Sequence, residues 1–173
     1  MSDQALATTD PTGHQGLDII ANGHTDDFVT FMIGEQMLGI PVLQVQDILQ
    51  SDKIASIPLA PPEVKGSINL RGRIVTVFNV RQRLGLDPLP AEEEKHCMGV
   101  TVELEHELYT LQVDRVGDVI GLPYKDFENN PGTIDPLWRE FTTGVYRLEG
   151  RIMVVLDVER LLNLDAKKET QVI

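Results

Sequence analysis

The sequence contains few histidine and cysteine side chains that could act in catalysis or bind a metal. Their spacing matches no known catalytic or metal-binding motif. Four histidines are spread along the chain: His14, His24, His96 and His106. No two of them have the spacing of a zinc motif. Cys97 follows His96, but consecutive strand residues point to opposite faces, so this histidine is badly placed to serve as a base for the thiol. We therefore predict no catalytic residue and no metal site.

The serines, glycines and clustered acids give the same answer. No serine lies in a Gly-x-Ser-x-Gly elbow. The run Asn69-Leu70-Arg71-Gly72 has one glycine and no Lys-Ser/Thr after it, so it is not a phosphate loop. The run 92–94, with three glutamates, is better explained as a solvated linker than as a metal site. The sequence thus predicts a protein that is not an enzyme and needs no cofactor.

The charge and composition of the chain argue against several classes of binding partner and against membrane insertion. The chain has 173 residues with 27 acidic and 15 basic side chains, and its net charge of -12 disfavours both nucleic acid and an anionic membrane surface. A single cysteine excludes an internal disulfide. No run approaches the roughly 20 apolar residues that span a bilayer, and the first residues do not have the pattern of a signal peptide. We expect a soluble cytoplasmic protein without membrane insertion.

The dominant feature is an internal repeat. Residues 66–86 read GSINLRGRIVTVFNVRQRLGL and residues 144–164 read GVYRLEGRIMVVLDVERLLNL, with nine identities at a displacement of 78. A weaker match at a displacement of 71 joins residues 28–49 to 99–120 and includes Val45/Val116 and Asp47/Asp118. Each copy is roughly 60–70 residues, which is marginal for a core of its own. We therefore expect two lobes that share a core.

The apolar pattern between the termini is mostly that of β-strands. Runs rich in β-branched residues, such as 74–78 and 151–157, predict strands, and a short helix follows each of them. The spacing of Val42, Val45 and Ile48 fits either a bent strand or a helical face, and Pro41 favours the strand. Two small β-barrels or sandwiches would remove exposed sheet edges.

These patterns predict the following division of the chain. Residues 1–26 are a disordered tail, 27–164 form the folded domain, and 165–173 are a second tail. Within the domain, a first barrel covers about 27–87 and a second covers about 96–164. The acidic segment 88–95 between them is the predicted boundary.

The repeat also shows where its two copies differ. Arg71 in the first copy corresponds to Glu149 in the second, so the charge reverses at equivalent turns. We therefore expect that the turn does not need Arg71, which leaves this residue available to a partner or to a local ion pair. It belongs to a basic cluster of four arginines: Arg71, Arg73, Arg81 and Arg83. That cluster predicts either a partner-binding surface or a solvated face with local salt bridges.

Several motifs resemble one known family. They are Gly66-x-Ile68-Asn69-Leu70-Arg71-Gly72-x-Ile74-Val75, then Leu38-Gly39-Ile40-Pro41-Val42, then Val113-Asp114-Arg115-Val116-Gly117-Asp118 and Arg151-Ile152-Met153-Val154-Val155. Together they resemble the CheW family of chemotaxis coupling proteins over about 28–164. Two positions depart from the family pattern: Thr76 stands where proline is usual, and Asn79 where aspartate is usual.

The resemblance implies a mainly β CheW-like fold of two SH3-like β-barrels with short helices, packed around a shared hydrophobic interface. It implies a non-enzymatic adaptor that links the cytoplasmic hairpin of chemoreceptors to the regulatory domain of a CheA-type histidine kinase in chemosensory arrays. The partner-binding residues that it implies are Val45, Asp47, Gly66, Asn69 and Arg71.

Two alternatives stay open at this level. One is a CheW-like coupler of a non-chemotactic chemosensory pathway. The other is a small-molecule-binding domain that uses the cleft between the lobes.

Overall fold

The computed structural model describes residues 23–51 and 53–163, and these residues form mainly β-strands. The strands of the first repeat are β1 (Thr25–Ile33), β2 (Gln36–Pro41), β3 (Val45–Gln50), β4 (Val64–Leu70) and β5 (Arg73–Asn79). Those of the second are β6 (Met98–Leu104), β7 (Glu107–Val113), β8 (Arg115–Pro123), β9 (Phe127–Asn129), β10 (Thr142–Leu148) and β11 (Arg151–Leu156). The predicted fold class is confirmed.

The helices are short, and the ones that follow β5 and β11 occupy equivalent places in the two repeats. The helices are α1 (Val80–Arg83), α2 (Ala91–Glu94), α3 (Pro136–Arg139) and α4 (Val158–Leu162). Asn79 caps α1 by accepting a hydrogen bond from the Gln82 amide at 3.2 Å, and Asp157 caps α4 through the Arg160 amide at the same distance. Asparagine and aspartate are comparable N-caps, so the departure at Asn79 preserves the start of the helix.

The two sheets exchange strands between the repeats. One sheet has the order β8-β1-β2-β11-β10-β9 and the other has the order β3-β6-β7-β5-β4. The first two strands of each repeat therefore pair with the later strands of the other repeat. The exchange includes two parallel pairs, β2 with β11 and β5 with β7. Sheet membership thus cuts across the predicted barrels of 27–87 and 96–164, because each sheet draws strands from both repeats.

A large apolar core lies between the two sheets. Phe31 and Leu38 come from the six-stranded sheet, Val100 and Leu111 come from the five-stranded sheet, and all four are fully buried together. A smaller cluster around Tyr146 and another around Val77 pack on the individual sheets. The large apolar core therefore fills the space between the sheets and draws residues from both repeats.

The ambiguous segment after Pro41 contains both kinds of structure. Val42–Gln44 form a 3-10 turn and β3 starts at Val45. The predicted boundary at 88–95 contains α2, whose Glu92 and Glu93 are exposed. Residues 1–22 and 164–173 lie outside the described residues, so most of the predicted N-terminal tail and the whole predicted C-terminal tail do as well.

Candidate partner-binding site

The turn between β4 and β5 involves two of the predicted site residues, Asn69 and Arg71, and has an unusual backbone conformation. Leu70 pairs with Arg73, which leaves Arg71 and Gly72 as a two-residue turn. Both have positive φ, 52° for Arg71 and 84° for Gly72, as in a type I′ hairpin. The Asn69 side-chain oxygen accepts a hydrogen bond from the Gly72 amide at 2.9 Å and closes the turn. For an arginine this left-handed backbone costs about 1–2 kcal/mol.

The equivalent turn of the second repeat has a different backbone. Leu148 pairs with Arg151 and Gly150 has a φ of 79°, but Glu149 is not left-handed. Arg147 stands in place of Asn69 and donates to Glu128 at 2.7 Å instead of closing the turn. The left-handed conformation of Arg71 therefore accompanies the asparagine that the second copy lacks.

The side chain of Arg71 is oriented by Asp47. Arg71 Nη2 donates to Asp47 Oδ2 at 3.0 Å, and the other carboxylate oxygen accepts from the Ile48 amide at 2.9 Å. The Arg71 side chain remains 79% exposed, against 26% for Asp47. The structure thus brings Asp47, Asn69 and Arg71 together and leaves the guanidinium accessible to a partner.

Gly66 lies on β4 but is buried, and its role is to permit a close backbone approach. A methyl group at this position would overlap the backbone carbonyl oxygen of Ala55. Ala55 and Ser67 exchange two backbone hydrogen bonds there, of 2.9 and 2.8 Å. Gly144 in the second repeat is equally close to the Glu128 carbonyl. Steric need explains why both repeats have glycine at this position, and Gly66 is a buried part of the fold and not an exposed contact.

Val45 lies at the margin of the large apolar core between the two sheets. It is half-buried against that core, and so is Val116, its equivalent in the second repeat. Three residues further on, Ile48 is 39% exposed and Val119 is 59% exposed. The displacement of 71 that joins Val45 to Val116 also joins Ile48 to Val119. We call Val45 and Ile48 on β3 the apolar wall, and Val116 and Val119 are the equivalent pair on β8. The repeat contained the signal for the three residues that the sequence prediction omitted.

The predicted basic cluster does not form one surface. Arg81 is half-buried against Asp114, with Nε 3.0 Å from Oδ1. Arg83 is buried beside Glu63 and donates from Nε to the Leu161 carbonyl at 2.9 Å. Burial is the main cause that lowers the pKa of Arg83. Within the cluster of four arginines, only Arg71 and Arg73 are exposed.

The single cysteine is buried, and burial makes its thiol harder to ionise. Cys97 is 5% exposed, and burial, aided by Asp114 and Glu94, raises the pKa of its thiol to about 11. No group of three or more potential ligands capable of holding a metal occurs among residues 23–51 and 53–163. The same part of the chain has no helix that is long and apolar enough to cross a bilayer.

Comparison with known proteins gives one consistent answer. A family model described as the CheW-like domain matches residues 27–166. The chemotaxis protein CheW of Treponema pallidum is 28% identical over 152 residues, covering 87% of this chain and 89% of that protein. CheW of Klebsiella aerogenes is 28% identical, covering 79% and 81%.

A solved structure agrees with these relatives. The scaffolding protein TtCheW of Thermoanaerobacter tengcongensis superposes with a TM-score of 0.71 at 26% identity, covering 80% of this chain and 92% of that one. The duplicated strands, the shared core between the sheets and the family match over most of the chain lead to one conclusion. This chain belongs to the CheW-like family of chemotaxis coupling adaptors.

Proposed function

We propose that this adaptor joins the cytoplasmic hairpin of a chemoreceptor to the regulatory domain of a CheA-type histidine kinase, without catalytic activity or a cofactor of its own. It would work on the cytoplasmic side of the membrane, held in receptor arrays through its partners. Individually weak contacts suffice in an array, because multivalency raises the effective affinity. The observation that carries the proposal is the exposed Arg71 guanidinium, which is paired with Asp47 beside the apolar wall.

The apolar wall suits a helical partner. Val45 and Ile48 are three residues apart on β3, and Val116 and Val119 repeat that arrangement on β8. Helices dock by placing apolar side chains at helical spacing into such surfaces. Two equivalent sets of aliphatic side chains fit a hairpin of two helices better than they fit a small polar ligand.

Arg71 supplies the polar contact. It is strained, exposed and oriented by Asp47, which lies between Val45 and Ile48 on the same strand. Strained residues persist where the surrounding structure holds them, and they cluster at binding sites. Arginine is also enriched among the residues that dominate interface energies.

The test replaces Arg71 by the residue of the second repeat. Arg71→Glu should weaken binding to the kinase regulatory domain or to the receptor fragment about tenfold, while the free energy of unfolding changes by less than about 1 kcal/mol. Arg147→Glu is the matched control, since Arg147 is also exposed and paired with one carboxylate. Isothermal titration with each partner, beside chemical denaturation, measures both quantities.

A charge swap separates the partner's need for Arg71 from the ion pair itself. Asp47→Arg combined with Arg71→Glu restores opposite charges, so it should recover any lost stability without recovering binding. Full binding by the swapped protein would mean that the ion pair, and not the arginine, is what the partner requires. Wild-type protein that is folded but binds neither partner would contradict the proposal.

A further inference from the structure

The loop between β3 and β4 ends in a turn that exposes a leucine. The Ala60 amide donates to the Ile57 carbonyl at 3.4 Å, with Pro58 and Leu59 between them. Leu59 has a φ of +60° and a relative exposure of 104%, and Ile57 beside it is 39% exposed. Proline at the second position and positive φ at the third are the signature of a type II turn.

Leucine is poorly suited to this position. The third residue of a type II turn is ordinarily glycine or asparagine, because a Cβ makes the left-handed backbone costly. Here the cost of the backbone coincides with full exposure of an aliphatic side chain, and no contact within the described chain offsets either. A local outlier that the fold does not explain points to a role outside the fold.

The turn is also held rigidly. Two hydrogen bonds between Ala55 and Ser67 fix the chain before it, and the Val64 amide donates to the Pro61 carbonyl at 2.9 Å behind it. The prolines at 58, 61 and 62 remove further backbone freedom. Leu59 is therefore presented in one place, which reduces the entropy that binding would cost.

The surroundings of Leu59 define the chemistry of its partner. Residues 54–62 contain no charged side chain, although 24% of the whole chain is charged. A convex, uncharged tip with one branched aliphatic side chain fits an apolar pocket on a folded domain. A helical hairpin presents a convex surface without such a pocket, and the net charge of -12 opposes an anionic membrane.

The turn is separate from the Arg71–Asp47 pair. The antiparallel bridge between Ala55 and Ser67 directs the residues after Ala55 toward Lys65, away from the turn at Arg71. We propose that Leu59, supported by Ile57, is an anchor that inserts into an apolar pocket of the kinase regulatory domain. This inference rests on the proposed function for the identity of that domain.

The experiment uses the full chain and measures stability and binding separately, because Leu59 is expected to lower the first and raise the second. Leu59→Asn tolerates the left-handed backbone and removes the aliphatic group. We expect its unfolding midpoint to rise by about 2–4 °C, as removal of strain in a chain of this size would give. Its affinity for the kinase regulatory domain should fall about tenfold, and its affinity for the receptor hairpin fragment should stay unchanged.

The control is Leu43→Asn, because Leu43 is 92% exposed without a left-handed backbone. It should change neither the unfolding midpoint nor the affinity for the kinase domain. Kinase binding by Leu59→Asn as tight as wild type, or a lowered unfolding midpoint, would overturn the inference while leaving the proposed function intact. Wild type that binds neither partner would overturn both.

Discussion

Arg83 and Leu161 occupy equivalent positions in the two repeats, and the Arg83 side chain is hydrogen-bonded to the Leu161 backbone. Arg83 Nε donates to the Leu161 carbonyl at 2.9 Å, and Arg83 Nη2 donates to the Asn163 carbonyl at 3.0 Å. The same guanidinium lies 4.8 Å from the centre of the Phe141 ring and 3.7 Å from a Glu63 oxygen. One side chain of the first repeat thus satisfies the C-terminal carbonyl groups of the last helix of the second.

Arg83→Leu, which copies the second repeat, should therefore destabilise the protein by about 3 kcal/mol. It removes the cation from buried Glu63, and breaking a buried ion pair on one side costs that much. Chemical denaturation would measure the loss. Arg160→Leu is the matched control, because Arg160 pairs with Asp157 at an exposed site worth less than about 1 kcal/mol.

Addition of Glu63→Gln to Arg83→Leu should recover part of the loss by removing the buried negative charge. If the single variant were as stable as wild type, the bonds from Arg83 to the second repeat would contribute nothing to the fold.

Local pattern predicted much of this architecture, and its failures have physical causes. The repeat predicted the two hairpin turns that lead into Gly-Arg-Ile, and it predicted the helices after β5 and β11. Strand exchange between the repeats was missed, because alternation along a strand does not specify which distant strand pairs with it. The burial of Arg83 was missed because a four-residue helix carries no pattern that reveals its partner. Among the site residues, the motif groups Asn69 with Arg71, but only the folded structure shows the hydrogen bond from the Gly72 amide to Asn69 that closes their turn.

Gly66 should tolerate no side chain. Gly66→Ala places a methyl group against the backbone of Ala55, which cannot move without breaking its bonds to Ser67. We expect a loss of about 2–3 kcal/mol, as for other overpacked sites. Gly132→Ala is the control, since a methyl group there would meet no atom within 4 Å. Equal unfolding midpoints for the two variants would show that the close approach at Gly66 is not restrictive.

Cys97 should make stability depend on pH in the alkaline range. Its thiol has a pKa of about 11 in the folded protein against 9.0 for an ordinary thiol, so the unfolded chain releases the proton first as pH rises. The stability that this group contributes is complete below pH 9 and is lost between pH 9 and about 11. Cys97→Ala should remove that part of the slope.

Chemical denaturation of wild type and Cys97→Ala from pH 8 to 11 would measure the difference between their free energies of unfolding. Titration of the other groups is common to both proteins and cancels in that difference. Parallel curves for the two proteins would contradict the elevated pKa. Iodoacetamide should also react slowly with native wild type near pH 8 and rapidly after unfolding, because the thiolate is the reactive form.

Separated repeats should not fold alone, because each sheet needs strands from both. Fragments 1–95 and 96–173 leave β1 and β2 without β8 and β11, and leave β6 and β7 without β3 and β5. We expect each fragment by itself to lack a cooperative thermal transition in circular dichroism. An equimolar mixture should regain β structure and a cooperative transition, since the core between the sheets forms only when both are present. A chain cut at 95 after folding is the control, and it should stay assembled. A cooperative transition in either isolated fragment would show that one repeat can complete a sheet by itself, against the observed exchange of strands.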